Sequence, residues 1–370
     1  MSDDMAGIFT PWKLKDLTIP NRLVRSATWE GLAEADGTPT YELVNVLAAL
    51  AEGGVGLIIT GFAFISPEGK ALPKQTGAHI DAMIGPLTRI SDAVHKCGGL
   101  VALQIAHAGG QTKQEWTGHR PVGPSAIQHP AFGPVQELSK DQIADIIEAF
   151  ALAAGRGKAA GFDAVELHAA HGYLANQFLS PFCNQRQDEY GGDWQGRGRF
   201  VFEMCRAARD LVGPHYPVFI KLNTADYVDN GLELSDALKV AQRLSDMGLD
   251  AIEVSGGQPA AGKLGSARKV KEPDQEGYFL DNAVAVKQVV ACPVISVGGW
   301  RSRAQVEKAL EHVDAVSMSR PFIRQPDLAK RWQAGETQAA CISCNGCFKV
   351  NMTQGLGCAQ ELKEQAKEGQ

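Results

Sequence analysis

The feature that most limits what this chain can become is a series of short, continuously apolar runs alternating with amphipathic stretches. GLIIT (56–60) and PVISV (293–297) show no polar alternation. A strand made of either needs cover on both faces, which is the mark of a parallel sheet wrapped by helices. Strands are predicted over 22–28, 56–64, 100–107, 164–169, 217–223, 251–255, 293–298 and 315–319, and helices over 41–52, 83–96, 139–160, 199–211, 235–247, 281–290 and 302–311. Ser139 with Gln142 three residues on reads as a capping box, and Gly98, Gly161 and Gly248 read as helix stops. Strand and helix units in this number, spread over about 300 residues, fit a closed barrel of ordinary size. An open doubly wound sheet would need a glycine-rich turn after the first strand, and WEGLAEADG (29–37) contains no G-x-G-x-x-G. The fold expected is therefore α/β, a (β/α)8 TIM barrel over 1–335, with a short cysteine-containing segment, 336–370, packed on it.

With 370 residues, 44% of them hydrophobic, the chain can bury a large core. Its net charge of -6 and dispersed basic residues argue against a nucleic-acid partner. The start, MSDDMAGIFTPW, has no basic stretch followed by an apolar one, and no segment approaches a bilayer-spanning length, so no membrane association and a cytoplasmic location are expected.

Catalytic and binding residues of such barrels sit at the C-terminal ends of the strands. Those ends carry Ser26, Ala27 and Thr28; Thr60 and Gly61; Gln104 and His107; His168 and His171; Lys221 and Asn223; Ser255 to Gly257; Gly298 and Gly299; and Ser319 and Arg320. Loops after the seventh and eighth strands form the usual phosphate site of the fold, and SVGGW (296–300) and SMSRP (317–321) supply backbone N–H groups and an arginine there. The fourth strand is followed by His168, His171 and Tyr173 within six residues, a spacing that suits a concave site better than a core. Polar residues continue through Asn184, Arg186, Asp188 and Tyr190, in a loop long enough to suggest function. A lysine at a strand end, Lys221, also leaves open a Schiff-base barrel such as an aldolase.

Several motifs resemble the old yellow enzyme family of FMN oxidoreductases: PNRLVRSAT (20–28), ALQIAHAGGQ (102–111), GPSAI (123–127), ELHAAHGYLANQFLSPFCNQRQDEYGG (166–192), SVGG (296–299) and SRPFIRQPDL (319–328). The resemblance implies an FMN cofactor, NADH or NADPH as hydride donor, and reduction of the activated C=C bond of a small enone-type substrate. It implies that Thr28 meets the reactive edge of the flavin, Gln104 its pyrimidine edge, and Gly298, Gly299 and Arg320 its phosphate, with Ser26, Ala27, Gly61 and Ser319 completing the cofactor set. Lys221 stands where the family usually has arginine, a point charge in place of a fork. His168 and His171 match the pair that holds the substrate carbonyl, and Tyr173 matches the proton donor. Gly196 replaces an asparagine of the family pattern, and Arg197 and Arg199 read as structural residues at a helix start, with a role toward a neighbouring subunit as the alternative for one of them. Trp29, Trp116 and Tyr278 are candidates for the pocket wall. Barrels of this kind commonly self-associate, so a homo-oligomer is a further expectation.

Of eight cysteines, Cys97, Cys183, Cys205 and Cys292 are scattered, whereas Cys341, Cys344, Cys347 and Cys358 form C-x2-C-x2-C-x10-C. Close cysteines in a reducing compartment are better explained by metal than by disulfides. A [4Fe–4S] cluster, a structural zinc and a metal-free remnant all remain open. The segment resembles the cluster-binding part of the trimethylamine dehydrogenase and dienoyl-CoA reductase branch, with a shorter last gap. A bound cluster would imply a separate electron-transfer partner and a flavin dehydrogenase acting on an amine or acyl compound.

Overall fold

The computed structural model describes residues 7–368. The reading of residues 1–6 as part of a start without an export leader lies outside them. Among the described residues, no helix is long and apolar enough to cross a membrane.

Parallel strands form the wall: β1 (Leu23–Arg25), β2 (Leu57–Ile59), β3 (Val101–Ala106), β4 (Ala164–Ala169), β5 (Val218–Asn223), β6 (Ile252–Ser255), β7 (Val294–Val297) and β8 (Ala315–Met318). Each pairs with its successor, and β8 pairs back with β1 through Ser317 opposite Val24, closing a (β/α)8 TIM barrel. Outside lie α1 (Tyr41–Glu52), α2 (Ile84–Lys96), α3 (Lys140–Ala159), α4 (Trp194–Val212), α5 (Leu234–Asp246), α6 (Leu280–Lys287) and α7 (Arg303–Ala309). Outward residues such as Leu103, Val165, Ile220 and Val294 share one core with the helices, which is why these strands read as unbroken apolar runs.

Local signals explain the boundaries. Ser139 Oγ accepts the Gln142 N–H while Gln142 Oε1 accepts the Ser139 N–H, the reciprocal cap predicted. Helix α4 starts five residues before the predicted start at 199, because Asp193 accepts the N–H groups of Gln195 and Gly196. Strand β1 is shorter than 22–28, since beyond it the chain bends to put Glu30 on Arg25 (2.8 Å) and on the Gly61 N–H (3.1 Å).

A hairpin, Trp12–Leu14 with Leu17–Ile19, plugs the N-terminal end of the barrel. Its side chains join Val24, Leu57, Ile59, Ala102, Ala164, Phe219, Ala251, Ile295 and Ala315 in a separate apolar floor. The chain after β8 continues through α8 (Leu328–Gln333) to α9 (Cys347–Gln354) and α10 (Ala359–Glu368). This segment lies on the mouth: Asn351 donates to the Trp29 carbonyl (2.7 Å), Asn345 donates to the Ala267 carbonyl (2.8 Å), and Phe348 packs on Trp29.

Candidate active site

The exit from β4 is a strained turn held by buried polar groups. His171 has φ 62° and Gly172 φ 81°, a left-handed pair that costs energy at the histidine. The His171 N–H donates to Asn223 Oδ1 (3.3 Å) and the Gly172 N–H to Asn176 Oδ1 (2.7 Å). Both asparagine amides donate to Asp226 Oδ1, whose other oxygen accepts the Leu232 N–H. This clamp aims three rings into one space: His168 and His171 have centroids 5.2 Å apart, and His168 and Tyr173 5.0 Å. Phe62 closes the side at 5.1 Å from Tyr173.

Two cavities open at the C-terminal end of the barrel and share Ala27, His171, Lys221, Ser266 and Ala267. The larger, about 490 Å³, is lined by Ser26, Thr28, Trp29, Ser255, Tyr278, Gly299, Ser317, Ser319, Arg320 and Cys347 among others. The smaller, about 310 Å³, is lined by Phe62, Gln104, Gln111, His168, Tyr173 and Gln258. Side-chain atoms there lack protein partners among the described residues: His168 Nδ1 and both ends of the Gln258 amide. Buried polar atoms left open are costly unless a ligand or water completes them. His171 spends Nε2 on Ser255 Oγ (2.7 Å), and among the described residues its ring makes no other side-chain hydrogen bond.

The barrel interior just below this mouth is polar. Lys221 Nζ lies 2.7 Å from Glu253 Oε2 and donates to Ser26 Oγ (2.7 Å). Ser26 and Ser317 both donate to Glu253 Oε1, at 2.7 and 2.5 Å. Gln104 donates to Glu166 Oε2 (2.6 Å), and Glu166 is the second carboxyl of this layer. Burial raises the Glu166 carboxyl well above the usual range, and the Glu253 charge adds to it while Lys221 opposes it. Burial also works against ionisation of Glu253, but the Lys221 charge and the hydrogen bonds from Lys221 and Ser317 outweigh it and bring the group down to about 2.

Desolvation keeps the catalytic candidates neutral. It lowers His171 to about 3, with Lys221 adding to the effect, and it lowers His168 well below the ordinary imidazole value, with His171 and Lys221 adding. Burial raises the Tyr173 phenol, against a smaller opposing contribution from Gln111. The site thus presents neutral imidazoles and a phenol that keeps its proton.

Most of the predicted residues converge on these cavities. Gly61 does not line either, and its N–H is taken by Glu30. Gly298 lies behind the lining, where its carbonyl accepts the Tyr278 N–H. Gly299, at φ 80°, has the Tyr278 ring where a Cβ would stand, 2.6 Å away, so this close packing by itself requires glycine. Arg320 donates through Nη1 to Asn345 Oδ1 (2.6 Å) and to the carbonyls of Arg268 and Ser343. Trp29 and Tyr278 line the larger cavity, whereas Trp116 lines neither.

The polar tail after Tyr173, expected to carry function, is instead a scaffold. Arg186 donates to the Pro124 and Leu138 carbonyls and pairs with Asp188 (2.6 Å), Asn184 donates to the Phe178 and Tyr190 carbonyls, and Tyr190 donates to Glu203. Arg197 likewise ties α4 to Leu179 and Asp236.

Cys341, Cys344, Cys347 and Cys358 line one small cavity that shares Arg320, Ile323, Asn345 and Cys347 with the larger one. Left-handed backbone at Ser343 (φ 54°) and Asn345 (φ 63°) curls the motif around it. Cys344 Sγ accepts the Gly346 N–H and a Gln360 amide hydrogen, which lower its thiol against the effect of burial. Among the described residues no three such groups are close enough to share a single metal ion. Four thiols lining one space are a donor set used both by [4Fe–4S] clusters and by structural zinc.

Fold and site together define a flavin-binding oxidoreductase barrel. The larger cavity fits FMN: a cation lies on its wall at Arg320, a second cation lies at Lys221, and Thr28 and Ser319 bring hydroxyls. Comparison with known proteins agrees. Residues 7–338 match the NADH:flavin oxidoreductase / NADH oxidase family. The NADH oxidase of Thermoanaerobacter brockii is 35% identical over 360 residues, covering 95% of this chain and 54% of that protein. A 2-naphthoyl-CoA reductase complexed with 2-naphthoyl-CoA superposes with TM-score 0.90 at 25% identity, covering 96% of this chain and 56% of that one. An old yellow enzyme homologue from Zymomonas mobilis gives TM-score 0.79 at 26% identity, covering 91% and 95%. The chain belongs to the NADH:flavin oxidoreductase / NADH oxidase family, of old yellow enzyme type, in which FMN and NAD(P)H are the cofactors. It spans about half the length of the first two of these relatives.

Proposed function

We propose that the protein reduces the activated C=C bond of small α,β-unsaturated carbonyl compounds. The observation that carries this reading is the convergence of His168, His171 and Tyr173 on the smaller cavity, which meets the larger one at Lys221 and Ala27. FMN held in the larger cavity would supply the hydride chemistry between NADH or NADPH and the substrate. The chain's own residues supply the rest. Neutral imidazoles at His168 and His171 donate N–H hydrogen bonds to the substrate carbonyl oxygen, drawing electron density away from the β-carbon. Tyr173 gives its proton to the α-carbon. A phenol raised by burial releases that proton only to a strongly basic carbon, which ties protonation to hydride arrival. Ser255 orients His171, and the Asn223–Asp226–Asn176 clamp holds the turn that carries it. Arg320 and the backbone at Gly299, which both line the larger cavity, serve the cofactor phosphate.

A second reading is favoured by the four-cysteine cavity, which adjoins the larger one through Cys347 and Arg320. Were a [4Fe–4S] cluster held there, the enzyme would exchange electrons with a partner protein and could run as a dehydrogenase of an amine or acyl compound. An aldolase based on Lys221 is disfavoured, because Glu253 and Ser26 hold that amine as a hydrogen-bonded cation. The spectrum of anaerobically purified protein, with metal analysis, separates these readings. Flavin bands without iron support the alkene reductase, and about four irons per chain with a broad band beneath the flavin support the partner-linked enzyme. Colourless protein that takes up no FMN overturns both.

A further inference from the structure

The fit to FMN uses Lys221 as a cation on the cavity wall but leaves two buried carboxyls, Glu166 and Glu253, with nothing to do. Both are 0% exposed and sit inside the barrel, one layer beneath the mouth. Charges in such a place are costly unless each is paired and hydrogen-bonded. Glu253 meets that requirement: Lys221 occupies one oxygen, and Ser26 and Ser317 donate to the other. Glu166 has the Gln104 amide on one oxygen and, among the described residues, no protein partner within ordinary hydrogen-bond geometry on the other. Lys221, Ser26 and Ser317 line the larger cavity, so whatever charge this cluster carries is felt by a ligand there.

From this geometry we infer that Glu253 sets the electron affinity of the bound flavin by cancelling the charge of Lys221, and that Glu166 is an uncharged hydrogen-bond partner in the same layer. This rests on the FMN reading above. A bare cation at Lys221 would stabilise negative charge gained by the flavin on reduction or on sulfite addition. An ion pair, with net charge zero, stabilises it much less. The two glutamates lie in one layer of one barrel and have opposite roles, so isosteric neutral substitutions distinguish them. Glu253→Gln removes a negative charge, whereas Glu166→Gln exchanges one neutral group for another.

The test is sulfite titration of FMN-loaded protein, read as bleaching of the flavin absorbance, with the midpoint potential measured alongside. Glu253→Gln should tighten sulfite binding on the order of tenfold or more, the effect of one unscreened unit charge nearby, and raise the potential. Glu166→Gln should leave sulfite affinity within about threefold of the parent, since no charge changes. Because Glu253→Gln leaves a buried ammonium unpaired, a second variant guards against misfolding. Lys221→Met with Glu253→Gln removes both charges, a change that buried pairs often tolerate, and should bring sulfite affinity back toward the parent value. Equal shifts from the two single glutamine variants, or none from Glu253→Gln in folded, yellow protein, would overturn the inference. Failure of the parent protein to bind FMN would overturn the flavin reading, and the inference with it.

Discussion

Two layers of the same barrel, offset by two residues along every strand, have opposite chemistry. The lower holds Val24, Ile59, Ala102, Ala164, Phe219, Ala251, Ile295 and Ala315; the next inward positions are Ser26, Gly61, Gln104, Glu166, Lys221, Glu253, Val297 and Ser317. Strand geometry alone makes this possible, because every second side chain points to the same face. The lower layer is sealed by the Trp12–Leu14 hairpin and contributes hydrophobic burial, while the upper gives that up to hold paired charges against a ligand cavity. The difference assigns stability to the floor and electrostatics to the mouth.

The largest effect should therefore come from the floor. Phe219→Ala empties a fully buried aromatic position and should cost about 3–5 kcal/mol of folding stability. It should leave the FMN content of the remaining folded protein unchanged. Denaturant unfolding together with the flavin-to-protein absorbance ratio checks both parts, and a loss of flavin without loss of stability would break the division between layers.

At the mouth the expectation reverses. Tyr173→Phe removes one hydroxyl from a cavity wall and should leave the unfolding midpoint nearly in place. It should slow the reoxidation of reduced enzyme by an enone about 10²-fold or more, the usual contribution of a positioned proton donor. Reduction of the enzyme by NAD(P)H should be spared. Stopped-flow measurement of the two half-reactions separates the outcomes, and equal slowing of both would remove Tyr173 from the proton-donor role.

How much of this was legible in the sequence depends on what had to be seen. The barrel was, because continuous apolar strands and the Ser139 and Gly161 punctuation are local signals. His168, His171 and Tyr173 were, because they leave one strand together. Glu166 and Glu253 carry a weaker signal: AVELHA and AIEVS each place a carboxylate inside a run otherwise fit only for burial. Alternation puts Glu166 on the face of His168 and Glu253 on the face of Ser255, and that parity was the available signal. Asp226 and Asn176 could not be found this way, since their meeting at the His171 turn spans fifty residues of sequence. The Arg186 tail misled for the opposite reason: its donors satisfy distant carbonyls at Pro124 and Leu138, which no local pattern records.

Protonation gives a subtler test of the mouth. His171, lowered to about 3 when folded, binds fewer protons than an unfolded histidine near 6.5. Between those values the unfolded state is the more protonated, so stability rises with pH and is lost as pH falls from about 6.5 toward 3. His107, enclosed and brought down to about 4, acts in the same direction over the upper part of that window. His171→Asn should make the acid limb of a stability-against-pH curve shallower by up to one proton, with Phe219 variants keeping the parent slope. An unchanged slope would mean that the imidazole is already solvated in the folded protein.

The smallest effect, and the one that sharpens the comparison most, belongs to Glu166. Its carboxyl is raised in the folded state, so the folded protein holds a proton that the unfolded chain releases above about 4.3. Stability from this group is therefore full below the unfolded value and declines as pH rises toward the folded one, the reverse of Glu253, whose contribution is lost only as pH falls toward about 2. Glu166→Gln should flatten the decline between pH 5 and neutrality, as an amide cannot release a proton, and the Gln104 contact should survive with its amide turned. At pH 5 the variant should lie within about 1 kcal/mol of the parent, the scale of one exchanged hydrogen bond. At neutral pH it should match or exceed the parent in unfolding midpoint. A variant that is less stable at every pH by a constant amount would show that the carboxyl is held by geometry alone, and that the upper layer does not store its proton at Glu166.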